Sequence, residues 1–182
     1  MLEVIRDRRS VRKYLPTAVG DQQILDLLEA ARLAPSGGNS QAWGFVVVRD
    51  PERRRIVMEA CHNQEWMLSA PVFIACVADV SRRMEDPPGL VVDERSAELH
   101  VKTTIRDTAI AAEHIVLQAQ AMGLSTCWIA WFEQDAIRRA LSVPSDKYVV
   151  AVLTVGHADE MPDPRPRRPL AEMVHHETWN AS

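Results

Sequence analysis

Two basic clusters lie near opposite ends of the sequence. The first, RDRRSVRK at residues 6–13, places four arginines and a lysine around Ser10, and the second contains Arg165, Arg167 and Arg168. Guanidinium groups pair with phosphate through parallel hydrogen bonds, and a hydroxyl adds a further donor. The two clusters therefore predict a site for a phosphate monoester if the fold brings them together. The plain alternative is a pair of solvated charge runs without a ligand.

Nucleic acid is the competing anion for these arginines. The whole chain has 21 basic and 25 acidic residues and a net charge of −4, which is unlike a generic polyanion-binding protein. Tyr14 is the aromatic residue near the clusters, and no recognisable nucleic-acid motif accompanies them. We therefore expect no nucleic-acid partner.

A second candidate stretch, APSGGNSQAW at residues 34–43, is uncharged and ends in a tryptophan. Gly37 and Gly38 would let the backbone approach a ligand closely. Asn39 and Gln41 each offer a donor and an acceptor, which suits the edge of a heterocycle. The stretch matches neither the GK[ST] phosphate loop nor GxGxxG. The alternative is an ordinary connection between a helix and a strand, built of turn residues.

A third stretch, CWIAWF at residues 127–132, contains Trp128 and Trp131. Tryptophans in such a run either line a ligand site or pack in a core or an interface. Elsewhere, His175 and His176 are adjacent and so point apart on a regular element. No set of serine, histidine and acid is recognisable from spacing. We predict no metal site and assign no catalytic side chain.

The composition fits one ordinary globular domain over residues 1–182. The chain is 47% hydrophobic and 25% charged, and its length allows a sizeable core. Its three cysteines are widely spaced and form no C-x-x-C pair, which favours reduced thiols. The start, MLEVIRDRRS, lacks the apolar core of a signal peptide, and no run approaches the roughly 18 apolar residues of a membrane span. We expect a cytoplasmic protein that enters no membrane.

Apolar periodicity and turn residues place these stretches on elements. The predicted helices cover residues 21–34, 51–61, 100–122 and 133–141, and the predicted buried strands cover 44–49, 71–79 and 148–157. Asp21 is the expected N-cap of the first of these helices, and Gly123 the C-terminal cap of the third. Residues 80–97, with a Pro-Pro-Gly turn at 87–89, predict an exposed insertion. The alternation indicates α/β or α+β layers, with helices on both faces of one sheet.

Four stretches, taken in order, resemble the signatures of the nitroreductase superfamily of flavoenzymes. RRSVRKY at 8–14 is similar to the opening RRS-x-R-x-Y/F, and residues 34–43 are similar to A-P-S-x-x-N-x-Q-P-W. GLSTCWI at 123–129 resembles G-L-G-T-C-W-I, and residues 155–174 resemble the V-G-Y…R-x-R-K-P-L-E-E-V ending. The resemblance spans almost the whole chain. It implies an α+β fold with a central, mostly antiparallel sheet flanked by helices, and an intertwined homodimer with FMN at the interface.

The resemblance also assigns expected cofactor contacts, residue by residue. The residues expected at the phosphate, the ribityl chain and the pyrimidine edge are Arg8, Arg9, Ser10, Arg12, Arg165 and Arg167. The loop residues expected to reach the FMN of the other subunit are Pro35, Ser36, Gly37, Asn39 and Gln41. Asn63 is expected at the pyrimidine edge, and Ile129, Ala130 and Trp131 at the position where a backbone N–H meets flavin N5.

Three departures from the family pattern bear on the site. Ala42 replaces the usual proline, the pair Ala130 and Trp131 stands where a small glycine is common, and Trp66 stands where some members have a lysine near the flavin. A cation beside N1 and O2 stabilises the reduced flavin. Without that lysine, Arg12 is the main candidate for this role.

The function implied by the resemblance is that of an FMN-dependent oxidoreductase. Hydride would pass from NADH or NADPH through flavin N5 to a small oxidised acceptor such as a nitroaromatic or a quinone, in a ping-pong sequence. The alternatives are another FMN-dependent reaction of the superfamily, such as dehalogenation, flavin degradation or dehydrogenation, and a non-catalytic flavin-binding module. The nature of the acceptor and the choice between NADH and NADPH are left open by the sequence.

Overall fold

The computed structural model describes residues 1–84, 90 and 92–179. Its helices are α1 (Glu3–Asp7), α2 (Asp21–Arg32), α3 (Pro51–Ala60), α4 (Leu99–Ala121) and α5 (Gln134–Leu141). Its strands are β1 (Trp43–Val48), β2 (Val72–Asp79), β3 (Ser125–Ile129) and β4 (Lys147–Gly156). The predicted turn at 87–89 lies outside the described residues.

The four strands form one sheet in the order β1-β2-β4-β3, and every pairing in it is antiparallel. β2 and β4 occupy the centre, where burial on both faces explains their continuous apolar sequences. The register shifts once, between Cys76 and Val77. Of the two layer types that the sequence allows, the structure has the α+β arrangement, as the resemblance implied.

Side chains of β2 alternate between two cores, because successive residues of a strand point to opposite faces. Phe73 and Ala75 join the core that includes residues of α3 and α5. Ile74 and Cys76 join the core that includes residues of α2 and α4. The prediction that helices cover both faces of one sheet is therefore confirmed.

The helix ends follow the local sequence, with one correction. Asp50 accepts a hydrogen bond from the N–H of Arg53 and caps α3, and Gly123 adopts φ +72° after α4, as expected. Asp21, however, is the first residue of α2, and Gly20 is its N-cap. The Gly20 N–H donates to the side chain of Gln23 (2.9 Å), so this end of α2 is stabilised by Gln23 and not by an aspartate cap.

Within the described part of the chain, no helix combines the length and the apolar character needed to cross a membrane.

Candidate functional site

The N-terminal basic cluster is held against the sheet by Ser10 and Val11 within it and by Tyr14 directly after it. Ser10 forms a parallel bridge with Thr126 of β3, and the N–H of Val11 donates to the Thr126 carbonyl (3.0 Å). Tyr14 pairs in antiparallel fashion with Ala158, just beyond β4. This segment therefore runs between the start of β3 and the chain that leaves β4. That path brings the two ends of the sequence together.

The two basic clusters meet around one cavity of about 460 Å³. Its polar lining from the first cluster is Arg6, Arg8, Arg9, Ser10 and Arg12, and from the second Arg165 and Arg167. Arg168 does not line it. The sequence left open whether the clusters meet, and the structure shows that they do.

The arginines of this cavity differ in how far they are already engaged. Arg6 donates to both oxygens of Asp7 (2.7 and 2.8 Å), and that carboxylate raises the pKa of Arg6. Arg9 folds back on the backbone and donates to the carbonyl of Arg8 (2.8 Å). Within the described residues, the side chains of Arg8, Arg165 and Arg167 make no hydrogen bond or ion pair. Their donors are therefore available to an anion.

Two carboxylates also lie at this end of the molecule, and the sequence analysis did not single them out. Asp163 lines the same cavity. Glu160 Oε1 accepts the backbone N–H of Arg12 (2.7 Å). This bond fixes the Arg12 backbone and leaves its guanidinium group directed elsewhere.

The guanidinium of Arg12 lies over an aromatic ring. Its central carbon is 5.6 Å from the centroid of the Trp66 ring, within the range of a cation–π contact. Trp66 belongs to the 3₁₀ turn Glu65–Ser69, which follows α3. Arg12 thus connects the arginine-lined cavity to the segment that contains Asn63 and Trp66.

An aromatic pair joins this segment to the chain that follows β3. His62 and Trp131 stack with ring centroids 4.4 Å apart and an interplanar angle of 26°. His62 and Asn63 both have positive φ, 57° and 54°, a conformation that costs free energy in residues other than glycine. Trp131 remains 66% exposed, so the outer face of the pair is open to a ligand.

The residues beside this pair lie at the end of β3 and directly after it. Ile129 is the last residue of β3 and is buried. Ala130 and Trp131 follow it and are exposed. Two exposed residues therefore follow β3 at the position where the resemblance places a contact to the flavin.

The loop at residues 36–41 has an unusual backbone. Gly38, Asn39 and Gln41 have φ values of 59°, 53° and 47°, so three of its residues adopt left-handed conformations. Ser36 Oγ accepts the N–H of Gln41 (3.0 Å) and closes the loop. The side chains of Asn39 and Gln41 are exposed. Pro35 follows the end of α2 and precedes this turn.

An ion pair that the sequence analysis missed lies beneath this loop. Arg83 Nη2 is 2.8 Å from Asp107 Oδ2. Arg83 also donates to the carbonyl of Gly37 (2.5 Å) and to Ser40 Oγ (3.0 Å), and the Gly37 N–H donates to Asp107 (3.1 Å). Arg83 lies in a charged stretch and Asp107 inside a long helix, so spacing gave no signal of their contact.

The predicted site residues therefore fall into three groups within one chain. The first group lines the cavity and consists of Arg8, Arg9, Ser10, Arg12, Arg165 and Arg167. In the second group, Asn63 is next to His62, which stacks on Trp131. The third group is the loop from Pro35 to Gln41. Arg12 connects the first two groups through Trp66. None of the loop residues lines the arginine cavity.

The nitroreductase family model matches residues 5–157. The chain belongs to the nitroreductase family. The match includes the first basic cluster, the loop at 36–41 and the whole sheet, and it ends before Arg165. The second basic cluster therefore lies beyond the part of the chain that the family model covers.

Relatives and solved structures of this family align over nearly the whole chain. A putative NADH dehydrogenase/NAD(P)H nitroreductase of Methanothermobacter thermautotrophicus is 30% identical, over 98% of this chain and 87% of its own length. A protein of the same description from Archaeoglobus fulgidus is 28% identical over 98% of both chains. Among solved structures, the NADPH:FMN oxidoreductase of Vibrio harveyi, in complex with NAD+, has a TM-score of 0.87 and 26% identity over 98% of this chain and 77% of its own.

Proposed function

We propose that this protein is an FMN-dependent oxidoreductase that transfers hydride from NADH or NADPH to a small oxidised acceptor. The observation on which the proposal rests is the cavity where Arg8 and Arg12 meet Arg165 and Arg167. A family match alone would indicate the fold and a range of activities. The cavity adds a specific ligand chemistry, that of a phosphate monoester.

The names of several relatives agree with this activity. A Bacillus subtilis protein 27% identical to this chain is an FMN reductase (NADPH), and a Vibrio harveyi protein 28% identical is an NADPH-flavin oxidoreductase. The oxidoreductase structure from Vibrio harveyi contains NAD+. These names support FMN as the cofactor and a nicotinamide nucleotide as the electron donor.

The residues of the arginine cavity fit the phosphate end of FMN. Arg8, Arg165 and Arg167 would pair with its oxygens, because their guanidinium groups have no other partner within the described residues, and Ser10 adds a hydroxyl. Arg9 would contribute its backbone, since its side chain is bonded to backbone carbonyls. The lining of this cavity, with arginines from both clusters, suits the phosphate and the start of the ribityl chain.

The ring of the cofactor would extend from this cavity toward the aromatic segment. Arg12 would present a cation to the pyrimidine edge, held in place by Trp66, and Asn63 would add an amide. The backbone of Ala130 and Trp131, after buried Ile129, would lie beside N5. The side chain of Trp131, stacked on His62, would form a wall of the acceptor slot.

When bound, FMN supplies the redox chemistry, since flavins accept and donate hydride. The residues of this chain then act by holding and orienting. Arg12 would balance negative charge on the ring, and the Trp131–His62 pair would shield one side of it from water. No side chain is required to abstract a proton, so the proposal names no general base.

The same proposal includes a homodimer of one domain per chain, residues 1–182. The loop at 36–41 lies apart from its own arginine cavity, which is what a contact to the partner's cofactor requires. Apolar side chains on α2 and α4 are also exposed in the single chain, as Leu25 (57%) and Leu99 (64%) show. Such exposure is typical of a surface that another chain covers.

Steady-state kinetics test the proposed reaction. Initial rates are measured while NADPH and a quinone or nitroaromatic are varied together. We expect parallel lines in a double-reciprocal plot, because donor and acceptor occupy the same slot in turn. The contradicting result is a protein that holds FMN but oxidises neither NADPH nor NADH when a quinone or a nitroaromatic is supplied. That result would favour a non-catalytic flavin-binding module.

A further inference from the structure

The loop at 36–41 is supported by a nearly buried ion pair. The side chains of Arg83 and Asp107 are 13% and 10% exposed. Two charged groups that are buried to this extent need hydrogen bonds to their remaining polar atoms, in addition to the bond between them. The loop supplies those bonds, through both backbone groups of Gly37 and the hydroxyl of Ser40. The pair and the loop are thus one hydrogen-bonded unit, which we call the Arg83 clasp.

The Arg83 clasp forms hydrogen bonds to the loop on both sides of the left-handed turn at Gly38 and Asn39. Gly37 precedes Gly38 and Asn39, two of the three loop residues with positive φ, and Ser40 lies between them and the third, Gln41. Left-handed conformations in residues such as Asn39 cost free energy and persist only where surrounding contacts enforce them. Bonds to the residue before and the residue after such a turn restrict it to one conformation.

Gly37 shows how closely the guanidinium approaches the backbone. A Cβ atom at this position would lie 2.6 Å from Arg83 Nη2, a distance too short for a non-bonded contact. The φ angle of Gly37 is not in the left-handed region. A side chain at this position would therefore displace the Arg83 guanidinium, although the backbone conformation itself does not demand glycine.

From these contacts we infer that Arg83 and Asp107 are positioning residues for a cofactor contact. By fixing the turn, the clasp holds the exposed side chains of Asn39 and Gln41 in the geometry that contacts FMN in the partner subunit. The inference rests on the proposed function, because it takes FMN as the ligand of this loop. Arg83 itself touches no ligand and acts through the loop.

Two substitutions of Arg83, with one matched control, test this role. Arg83→Met removes the charge and both bonds from Arg83 to the loop but leaves the bond from the Gly37 N–H to Asp107. Arg83→Lys keeps a cation beside Asp107 but cannot reach Gly37 and Ser40 together. The control is Arg138→Met, because Arg138 is also buried and donates to the carbonyls of Lys147 (2.8 Å) and Val92, away from the loop. FMN affinity is measured by quenching of flavin fluorescence, and amide hydrogen exchange is followed over residues 35–42 in FMN-free protein.

We expect Arg83→Met to bind FMN about tenfold or more weakly, the effect of losing one to two buried hydrogen bonds. Exchange at residues 35–42 should become faster in the same variant. Arg83→Lys should fall between it and the wild type, and Arg138→Met should match the wild type in both measurements. If Arg83→Met yields no folded protein, Arg83→Lys and Ser40→Ala provide the same comparison with milder changes.

The Asn39→Ala background separates positioning from general stability. If Arg83 acts through the loop, Arg83→Met should weaken FMN binding less in Asn39→Ala than in the wild type. Three results would overturn this inference while leaving the proposed function intact. They are an Arg83→Met variant that binds FMN as tightly as the wild type, exchange at residues 35–42 that does not change in it, and effects of Arg83→Met and Asn39→Ala on FMN affinity that are fully additive. A wild-type protein that takes up no FMN would overturn the proposed function, and this inference with it.

Discussion

The guanidinium carbon of Arg12 lies 5.6 Å from the centroid of the Trp66 ring. The family resemblance places this tryptophan where some members are expected to have a lysine near the flavin. In this chain the tryptophan ring faces another cation, Arg12, on a different segment. Arg12, oriented by the Trp66 ring, would therefore supply the positive charge proposed for the pyrimidine edge of the flavin.

Replacing Trp66 tests that arrangement. Trp66→Leu removes the ring face, and we expect FMN affinity to fall about two- to tenfold, since exposed to partly buried cation–π contacts contribute about 0.5 to 1 kcal/mol or somewhat more. The flavin midpoint potential should also become more negative, because Arg12 would be less well placed to stabilise the reduced form. Trp66→Phe keeps a ring and should lie close to the wild type. Equal affinity and potential in Trp66→Leu and wild type would contradict the role of the ring.

The arginine cavity makes a prediction with an internal control. Arg8→Ala and Arg167→Ala should each weaken FMN binding by one to two decades, because each removes a charge-assisted bond of about 1.5 to 3 kcal/mol. Arg168→Ala should have little effect, since Arg168 does not line the cavity. Equilibrium dialysis at two salt concentrations gives the affinities. Three variants with the same affinity would show that the phosphate is bound elsewhere.

We expect the stacked pair His62 and Trp131 to determine which aromatic acceptors the protein prefers. Trp131→Ala should change the kcat/KM ratio between a large and a small aromatic acceptor by about two- to tenfold, the size of one aromatic contact. FMN affinity should stay within about twofold, because the proposed contact of Trp131 to the flavin uses its backbone. His62→Ala should shift the ratio in the same direction if the two rings act as a unit. A loss of FMN with an unchanged acceptor ratio would place the indole on the cofactor instead.

The central sheet predicts a pH dependence of stability through Asp79. Burial raises the pKa of Asp79, but Lys147 (2.7 Å) and the Ser81 hydroxyl (2.6 Å) outweigh it, so the pKa lies below its usual range. Because the unfolded chain then binds the proton more readily, this contribution is present at neutral pH. It is lost as the pH falls below the ordinary value of about 3.9.

Urea unfolding at a series of pH values measures this contribution. Asp79→Asn should lower the free energy of unfolding at pH 7 by about 1 to 3 kcal/mol and flatten its decline toward low pH. Asp21→Asn is the control, because the Asp21 side chain is 87% exposed in its ion pair with Arg49 and such pairs contribute little. Identical pH profiles for Asp79→Asn and wild type would contradict the assignment.

Three of the four described strands and most helix ends could be predicted because their signals are local, whereas the short β3 was not predicted as a strand. β-branched runs indicated β1, β2 and β4, and Asp50 with Pro51 indicated the start of α3. The N-cap of α2 was predicted one residue late because a glycine with help from the Gln23 side chain gives no strong sequence signal. The topology depends on long-range pairing, and the sequence alone left α/β and α+β open.

The candidate site divides in the same way. The residues of the arginine cavity were identifiable by type and motif, but their meeting depends on how the chain passes between β3 and the end of β4. The Arg83–Asp107 pair, the His62–Trp131 stack and the Arg12–Trp66 contact join residues from separate elements. No local periodicity encodes such contacts, so they could only be found in the folded chain.

The visible absorption spectrum of the purified protein, loaded with FMN and then mixed anaerobically with NADPH or NADH, tests the central claim most directly. We predict the two absorption bands of protein-bound oxidised flavin and their bleaching by one of the two donors, at one flavin per chain. A protein that takes up no FMN, or one whose bound flavin neither donor bleaches, would contradict the claim that this chain is an FMN-dependent NAD(P)H oxidoreductase.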